Sequence, residues 1–135
     1  MSLETMLNYI DGLFQYYFLE FKVDEKEKEK DKRQQTIDAI KTVKKQNMED
    51  RVIFLSYDPI VREELLANTG IIIARDTYHP EDFKDKKIAQ NPNIQYLMLP
   101  YDMLTEEVWE DIEKTNKKFV TYTINDTEIL EQYLT

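Results

Sequence analysis

The stretch Val52-Ile53-Phe54-Leu55-Ser56-Tyr57-Asp58-Pro59 decides the fold class of this chain. Its first four residues are all apolar, which is typical of a strand that is buried on both faces of a parallel sheet. Asp58 is a good helix-capping residue and Pro59 is favoured at the first helical position, so a helix should begin here and run through Leu66. A strand, a turn and a helix in this order indicate one unit of an α/β protein.

The same alternation of strand and helix patterns continues along the chain in both directions. Apolar and β-branched runs predict further strands, and residues at helical spacing or capping side chains predict the helices between them. The predicted strands are Tyr16–Val23, Val52–Leu55, Ile71–Ala74, Ile94–Leu99 and Phe119–Ile124, and the predicted helices are Leu3–Ile10, Thr36–Met48, Pro59–Leu66 and two more that begin near Thr105 and Asn125. We therefore expect an α/β fold with about five parallel strands.

Two polar segments separate predicted elements. Asp24 to Arg33 is an unbroken run of charges and polar residues, which predicts a solvated loop or a frayed helix start, and Arg75 to Asp85 is predicted as a loop. Gly12 can end the first helix in a left-handed conformation, and Asn125 with Glu128 has the spacing of a capping box for the last helix.

Length and composition limit the possible functions. With 135 residues the chain is long enough for one domain, which we predict over residues 1–135. Its formal charge of −9 disfavours nucleic acid as a main partner. The chain contains no cysteine, which excludes thiolate chemistry, and its single histidine, His79, excludes a site that needs two.

The apolar stretch from Met6 to Phe21 is broken by polar residues and lacks a basic start, so it is neither a signal peptide nor a membrane span. We expect a soluble chain, cytoplasmic rather than secreted.

Because parallel α/β sheets place their chemistry at the carboxyl ends of strands, the residues at those ends are the candidates. Glu20 and Lys22 lie on one face of the first strand, where a carboxylate suits Mg²⁺ or Ca²⁺ and an ammonium suits an anionic substrate. The alternative for this pair is a plain structural ion pair.

The other candidates have simpler structural explanations. Ser56 and Asp58 could line a pocket, but helix capping is the stronger explanation. Small polar groups such as Thr121 can fill a barrel interior, His79 has the context of a surface loop, and Trp109 is most simply part of the core.

Four segments together resemble a known family. Leu3-Glu4-Thr5-Met6-Leu7, Phe18-Leu19-Glu20-Phe21-Lys22, Val52 to Asp58 and Phe119 to Asn125 resemble, in order and spacing, the "PTLEE" helix, the "IEIK" strand, the "SFD" turn and the "WTVN" strand of the glycerophosphodiester phosphodiesterases. This resemblance implies part of a TIM barrel that hydrolyses glycerophosphodiesters to glycerol 3-phosphate and an alcohol, with a divalent metal, Mg²⁺ or Ca²⁺, as cofactor.

The resemblance also implies roles for individual residues. Glu20 would be a metal ligand, and Lys22 would face the phosphate and stabilise transition-state charge. Tyr122, which stands where the family usually has tryptophan, and Asn125 would wall the glycerol or leaving-group side.

The family's His-Arg-Gly motif, its Glu-x-Asp metal ligands and its second catalytic histidine have no counterpart in this sequence. A complete barrel takes about 250 residues, so the five strands resemble strands three to seven of eight. We therefore expect the isolated chain to be inactive and to have weak or no metal affinity. The alternatives are a non-catalytic interaction or regulatory module derived from the family, an open doubly wound sheet, and a homo-oligomer or separate barrel half that completes the sheet.

Overall fold

A computed structural model describes residues 1–134 of the chain. Six α-helices alternate with five strands in these residues, and 3₁₀ helices at Pro80–Lys84 and Tyr101–Met103 interrupt the connections. In chain order the elements are α1 Leu3–Ile10, β1 Tyr17–Phe21, α2 Glu29–Lys45, β2 Val52–Ser56, α3 Pro59–Leu66, β3 Ile72–Asp76, α4 Lys86–Ala89, β4 Ile94–Pro100, α5 Glu106–Lys114, β5 Lys118–Tyr122 and α6 Thr127–Leu134.

The strands form one sheet in the order β1-β2-β3-β4-β5, with β1 and β5 at its edges within the described residues. The pairs β1/β2, β2/β3 and β4/β5 are parallel, and in the first of them Glu20 lies opposite Leu55 and Phe21 opposite Ser56. The predicted α/β fold, with five parallel strands that alternate with helices, is confirmed.

The chain divides into two compact units, Met1–Ala74 and Arg75–Thr135. The prediction of one domain over residues 1–135 stays a prediction.

The first unit is built around β2, whose five residues are all buried. β1 lies at the edge of the sheet and is only half buried, with Tyr17, Leu19 and Phe21 on the less exposed side, as the alternation predicted. The predicted cap of α3 is confirmed, since the Asp58 carboxylate accepts hydrogen bonds from the N–H groups of Ile60 and Val61. Gly12, just after α1, has a φ of 82°, the left-handed conformation expected for it.

The second unit packs α5 and the short connections around β4 and β5. Leu97 and Leu99 of β4 and Ile112 of α5 are among its deeply buried residues. Thr105 caps α5, as predicted, by accepting a hydrogen bond from the N–H of Val108 at 3.2 Å.

Several element boundaries differ from the prediction. β1 and β5 each end two residues before the predicted end, at Phe21 and Tyr122. α2 begins at Glu29, inside the charged run, where acidic Glu29 and Asp31 in its first turn favour a helix start and Glu29 pairs with Arg33 one turn later. β3 continues through Asp76, into the segment predicted as a loop. At α6 the side chain of Asp126, not Asn125, accepts the hydrogen bond from the N–H of Glu128.

Across residues 1–134, no helix combines the length and the apolar character needed to cross a lipid bilayer.

Candidate functional site

Glu20 lies near the carboxyl end of β1, as predicted, and Lys22 follows directly after Phe21, the last residue of the strand. The Lys22 ammonium lies 3.9 Å from a Glu20 carboxylate oxygen, and the exposed fraction is 82% for the Lys22 side chain and 34% for that of Glu20. An ion pair with this exposure contributes little to stability. Both charges therefore face solvent, where they could meet a ligand.

A cavity of about 580 Å³ lies beside this pair within the first unit. That volume is ordinary for a small-molecule site. Its polar lining comes from the end of β1, the loop that follows, α2 and the turn before α3, and comprises Glu20, Lys22, Glu25, Lys32, Tyr57 and Asp58.

Lys32 and Asp58 form a buried ion pair in the wall of this cavity. The Lys32 Nζ lies 2.7 Å from Asp58 Oδ2, and the two side chains are 8% and 12% exposed. Burial raises the pKa of Asp58, but hydrogen bonds from Lys32 and from the N–H groups of Val61 and Ile60 outweigh burial and lower the pKa below its usual value. The carboxylate is thus ionised and already engaged, which supports its predicted role as a helix cap.

Ser56 connects the two strand ends of the first unit. Its buried hydroxyl donates a hydrogen bond to the Phe21 carbonyl at 2.9 Å and accepts one from the N–H of Asp58 at 3.1 Å. Because Phe21 lies between Glu20 and Lys22, Ser56 helps to hold the backbone that carries both charges.

In the second unit, Tyr122 at the end of β5 contacts a carboxylate at the end of β3. The Tyr122 hydroxyl donates a hydrogen bond of 2.6 Å to Asp76 Oδ1, and Asp76 is only 5% exposed. The Tyr122 hydroxyl is therefore already engaged, and its ring is the part that could contact a ligand.

Replacing Tyr122 with phenylalanine should lower the free energy of unfolding by about 1.5–3 kcal/mol, because a buried carboxylate loses a hydrogen bond. Chemical denaturation followed by circular dichroism measures this change. Tyr9→Phe is the matched control, since Tyr9 is 80% exposed and its hydroxyl can be lost with little effect. Equal stability of the two variants would contradict the assignment.

A second carboxylate in this unit, Asp82, is held by two donors. Its Oδ2 accepts hydrogen bonds from Arg75 at 2.8 Å and from the Thr77 hydroxyl at 2.9 Å. Burial raises the pKa of Asp82, but these two hydrogen bonds outweigh burial, and the pKa is lowered. A lowered pKa in the folded state means that the ionised carboxylate stabilises the fold above the unfolded-state pKa of about 3.9 and that this stabilisation is lost as the pH falls further.

The Asp82→Asn variant should therefore be less stable than the wild type at pH 6 and should lose less stability than the wild type between pH 5 and pH 2. Urea denaturation at a series of pH values measures both quantities. Parallel pH profiles for the two proteins would contradict this prediction.

Three other residues were candidates from the sequence, namely Asn125, His79 and Trp109. Asn125 is exposed in the segment between β5 and α6. His79 has a side chain that is 74% exposed and lies 3.5 Å from Glu81, which fits the surface loop predicted for it. Trp109 is 41% exposed, so the prediction that it belongs to the core is wrong.

Solved structures with the same fold are known. The structure has a TM-score of 0.79 and 18% sequence identity to a protein from Silicibacter pomeroyi assigned as a glycerophosphoryl diester phosphodiesterase. It has a TM-score of 0.75 and 14% identity to a glycerophosphodiester phosphodiesterase from Parabacteroides distasonis. Both matches cover 98% of this chain, but only 48% and 55% of those chains.

The fold is that of a partial glycerophosphodiester phosphodiesterase-like barrel. The chain spans about half the length of the solved structures that it matches. No protein-family model and no curated protein sequence matches it.

A glycerophosphodiester phosphodiesterase-like fold raises the question of a divalent metal. Within residues 1–134, no group of three or more histidine, aspartate or glutamate side chains is placed to hold a metal ion. Asp58, a largely buried carboxylate in the wall of the same cavity, is committed to Lys32 and to the start of α3. Since Mg²⁺ and Ca²⁺ take six or more oxygen ligands, the described residues alone do not fit such an ion.

Two features of this partial glycerophosphodiester phosphodiesterase-like fold were not predicted from the sequence. Asp76 was predicted to lie in a loop but is the last residue of β3, and the alternation of Ala74 and Asp76 on one side of the strand could have indicated this. Nothing local signalled the pairing of Lys32 with Asp58, because 26 residues separate them.

Proposed function

We propose that this chain is one part of a glycerophosphodiester phosphodiesterase-like barrel that, when complete, hydrolyses glycerophosphodiesters to glycerol 3-phosphate and an alcohol. The observation that carries the proposal is the likeness of nearly the whole chain to about half of two proteins with that name. Because the chain spans only about half of each, the activity belongs to the complete barrel and the isolated chain is inactive.

Lys22 is the proposed catalytic residue of this piece. Its ammonium is 82% exposed just after the end of an edge strand, and its ion pair among the described residues is the weak one with Glu20. A positive charge at this position would bind the phosphodiester and stabilise the additional negative charge that develops in the transition state.

Glu20 is the proposed metal ligand. It supplies one carboxylate, so the other oxygen ligands for Mg²⁺ or Ca²⁺ must come from outside the described residues. The metal would supply Lewis-acid chemistry in the complete barrel.

Tyr122 and Asn125 are the proposed substrate-binding residues. Asp76 fixes the position of the Tyr122 ring through the 2.6 Å hydrogen bond. That ring could form a wall against the glycerol or leaving group, and the exposed Asn125 amide could donate to or accept from its hydroxyl groups.

The second candidate function is a non-catalytic interaction module with the same fold. Its support is that the single histidine, His79, is exposed and lies beside Glu81 rather than a nucleophile. A second copy or a separate barrel half would then pair with the sheet edges of β1 and β5.

The deciding experiment fuses this chain to the half of the Silicibacter protein that it does not match. Release of glycerol 3-phosphate from glycerophosphocholine and glycerophosphoethanolamine is measured with Mg²⁺ or Ca²⁺ and with a chelator control. The enzyme proposal expects release by the fusion, none by the chain alone, and a loss of about 100-fold or more in Lys22→Ala.

Lys26→Ala is the matched control, since Lys26 is an exposed lysine in the loop after β1. A fusion that folds by circular dichroism and releases no product would favour the interaction module. Metal-dependent turnover by the isolated chain would show that its own residues supply the acid and base.

A further inference from the structure

A second cavity, of about 860 Å³, runs along α5 within the second unit. Its apolar wall includes Trp109 of α5 and Phe119 of β5, whose rings meet edge to face with centroids 5.7 Å apart. Trp109 nevertheless remains 41% exposed. We name the cavity the α5 groove. A large aromatic residue that is left this accessible in a concave surface is typical of a binding anchor.

A row of carboxylates borders the α5 groove. Glu106, Glu110 and Glu113 line it and follow each other at intervals of four and three residues, which places them on one side of the helix over about 10 Å. Like charges at this spacing repel each other and destabilise the helix. Any cation placed in the groove would relieve that repulsion.

The chain neutralises other acidic side chains of α5 but not these three. Glu107 and Asp111 each lie 3.6 Å from the Lys84 ammonium, and Asp111 also contacts Lys114. Among the residues that the structure describes, Glu106, Glu110 and Glu113 take part in no ion pair. The unpaired negative charge of α5 is thus concentrated beside the exposed tryptophan.

We propose that the α5 groove is a docking site for a cationic amphipathic helix of a partner protein. The apolar face of such a helix would cover Trp109 and Phe119, and lysine or arginine side chains at the same spacing would face the three carboxylates. A second copy of this chain is a poor occupant, because its formal charge is −9 and two acidic rows would meet.

The probe is a synthetic 14-residue peptide of leucine and lysine, with the leucines at helical spacing. Trp109 is the only tryptophan of the chain, so its fluorescence reports on the groove alone. We expect a saturable blue shift with this peptide. A peptide with glutamate in place of lysine and a peptide of the same composition in scrambled order should both leave the emission unchanged, and an equal shift with either would overturn the proposal.

Variants locate the binding site. The triple variant E106Q/E110Q/E113Q should bind a fluorescein-labelled form of the peptide about 10-fold more weakly, as expected for the loss of three exposed charge pairs. The control triple E4Q/E27Q/E81Q removes the same charge from positions outside the groove and should change the affinity less than about twofold. Equal weakening by both, with folding confirmed by circular dichroism, would show that only net charge matters and would overturn the proposal.

Two further measurements distinguish other occupants. Sedimentation of the chain alone should show a monomer, and self-association that Trp109→Ala abolishes would replace the partner helix with a second copy. Titration with choline tests a small organic cation, which should bind at least about 10-fold more weakly than the peptide because it covers less of the apolar wall. Choline binding as tight as that of the peptide would overturn the proposal.

Discussion

Replacing Asp58 with alanine is expected to lower the free energy of unfolding by about 3–5 kcal/mol. The substitution leaves the Lys32 ammonium buried without its partner, since the Lys32 side chain is only 8% exposed. It also removes the carboxylate that accepts from the N–H groups of Ile60 and Val61 at the start of α3. Urea denaturation at pH 7 measures the change.

Asp58→Asn separates the two contributions. Asparagine caps a helix about as well as aspartate, so this variant retains the hydrogen bonds to α3 but loses the charge opposite Lys32. We expect it to be less destabilised than Asp58→Ala. The double variant K32M/D58N should be more stable than the sum of the two single changes implies, because it leaves no unpaired buried charge. If the losses of stability in the two single variants add up to that of the double variant, the two side chains are not a coupled ion pair.

Replacing Phe54 with alanine is expected to lower the free energy of unfolding by about 3–5 kcal/mol, which is the second large effect. Phe54 is fully buried at the centre of β2, and its ring stacks on Phe21 with centroids 6.0 Å apart and planes inclined by 20°. The cavity would therefore open beneath β1, the strand that contains Glu20 and ends just before Lys22. Urea denaturation monitored by circular dichroism measures the loss.

The control for this substitution is Phe18→Ala in β1. Phe18 is 46% exposed, so its truncation removes much less buried apolar surface. We expect it to cost less than half as much as Phe54→Ala. A loss below about 1 kcal/mol for Phe54→Ala would show that β2 is not the centre of the first unit's core.

The fold was most predictable where the signals are local. The continuous apolar run of β2 and the Asp58-Pro59 helix start lie within eight consecutive residues, and both are confirmed. The start of α2 was missed because a run of mixed charge fits a loop and a helix equally well, until pairs such as Glu29 with Arg33 form.

For the candidate site, the sequence predicted where residues lie along the strands but not which distant residues contact each other. Strand ends are visible in the sequence, so Glu20 and Lys22 could be placed at the exit of β1. The contact between Asp76 and Tyr122 could not be predicted, because the two residues are 46 positions apart and their contact depends on how the strands are arranged. Trp109 has the spacing of a core residue on α5, and nothing local shows that the surface above it is left open.

We propose that the end of β1 is a phosphate-binding edge of an incomplete barrel. Titration of the isotopically labelled chain with glycerol 3-phosphate, followed by two-dimensional ¹H–¹⁵N NMR, tests this proposal. We predict saturable shifts of the Glu20 and Lys22 amides that disappear in Lys22→Ala and persist in Lys26→Ala. The absence of shifts at these amides, or shifts that survive Lys22→Ala, would contradict the proposal.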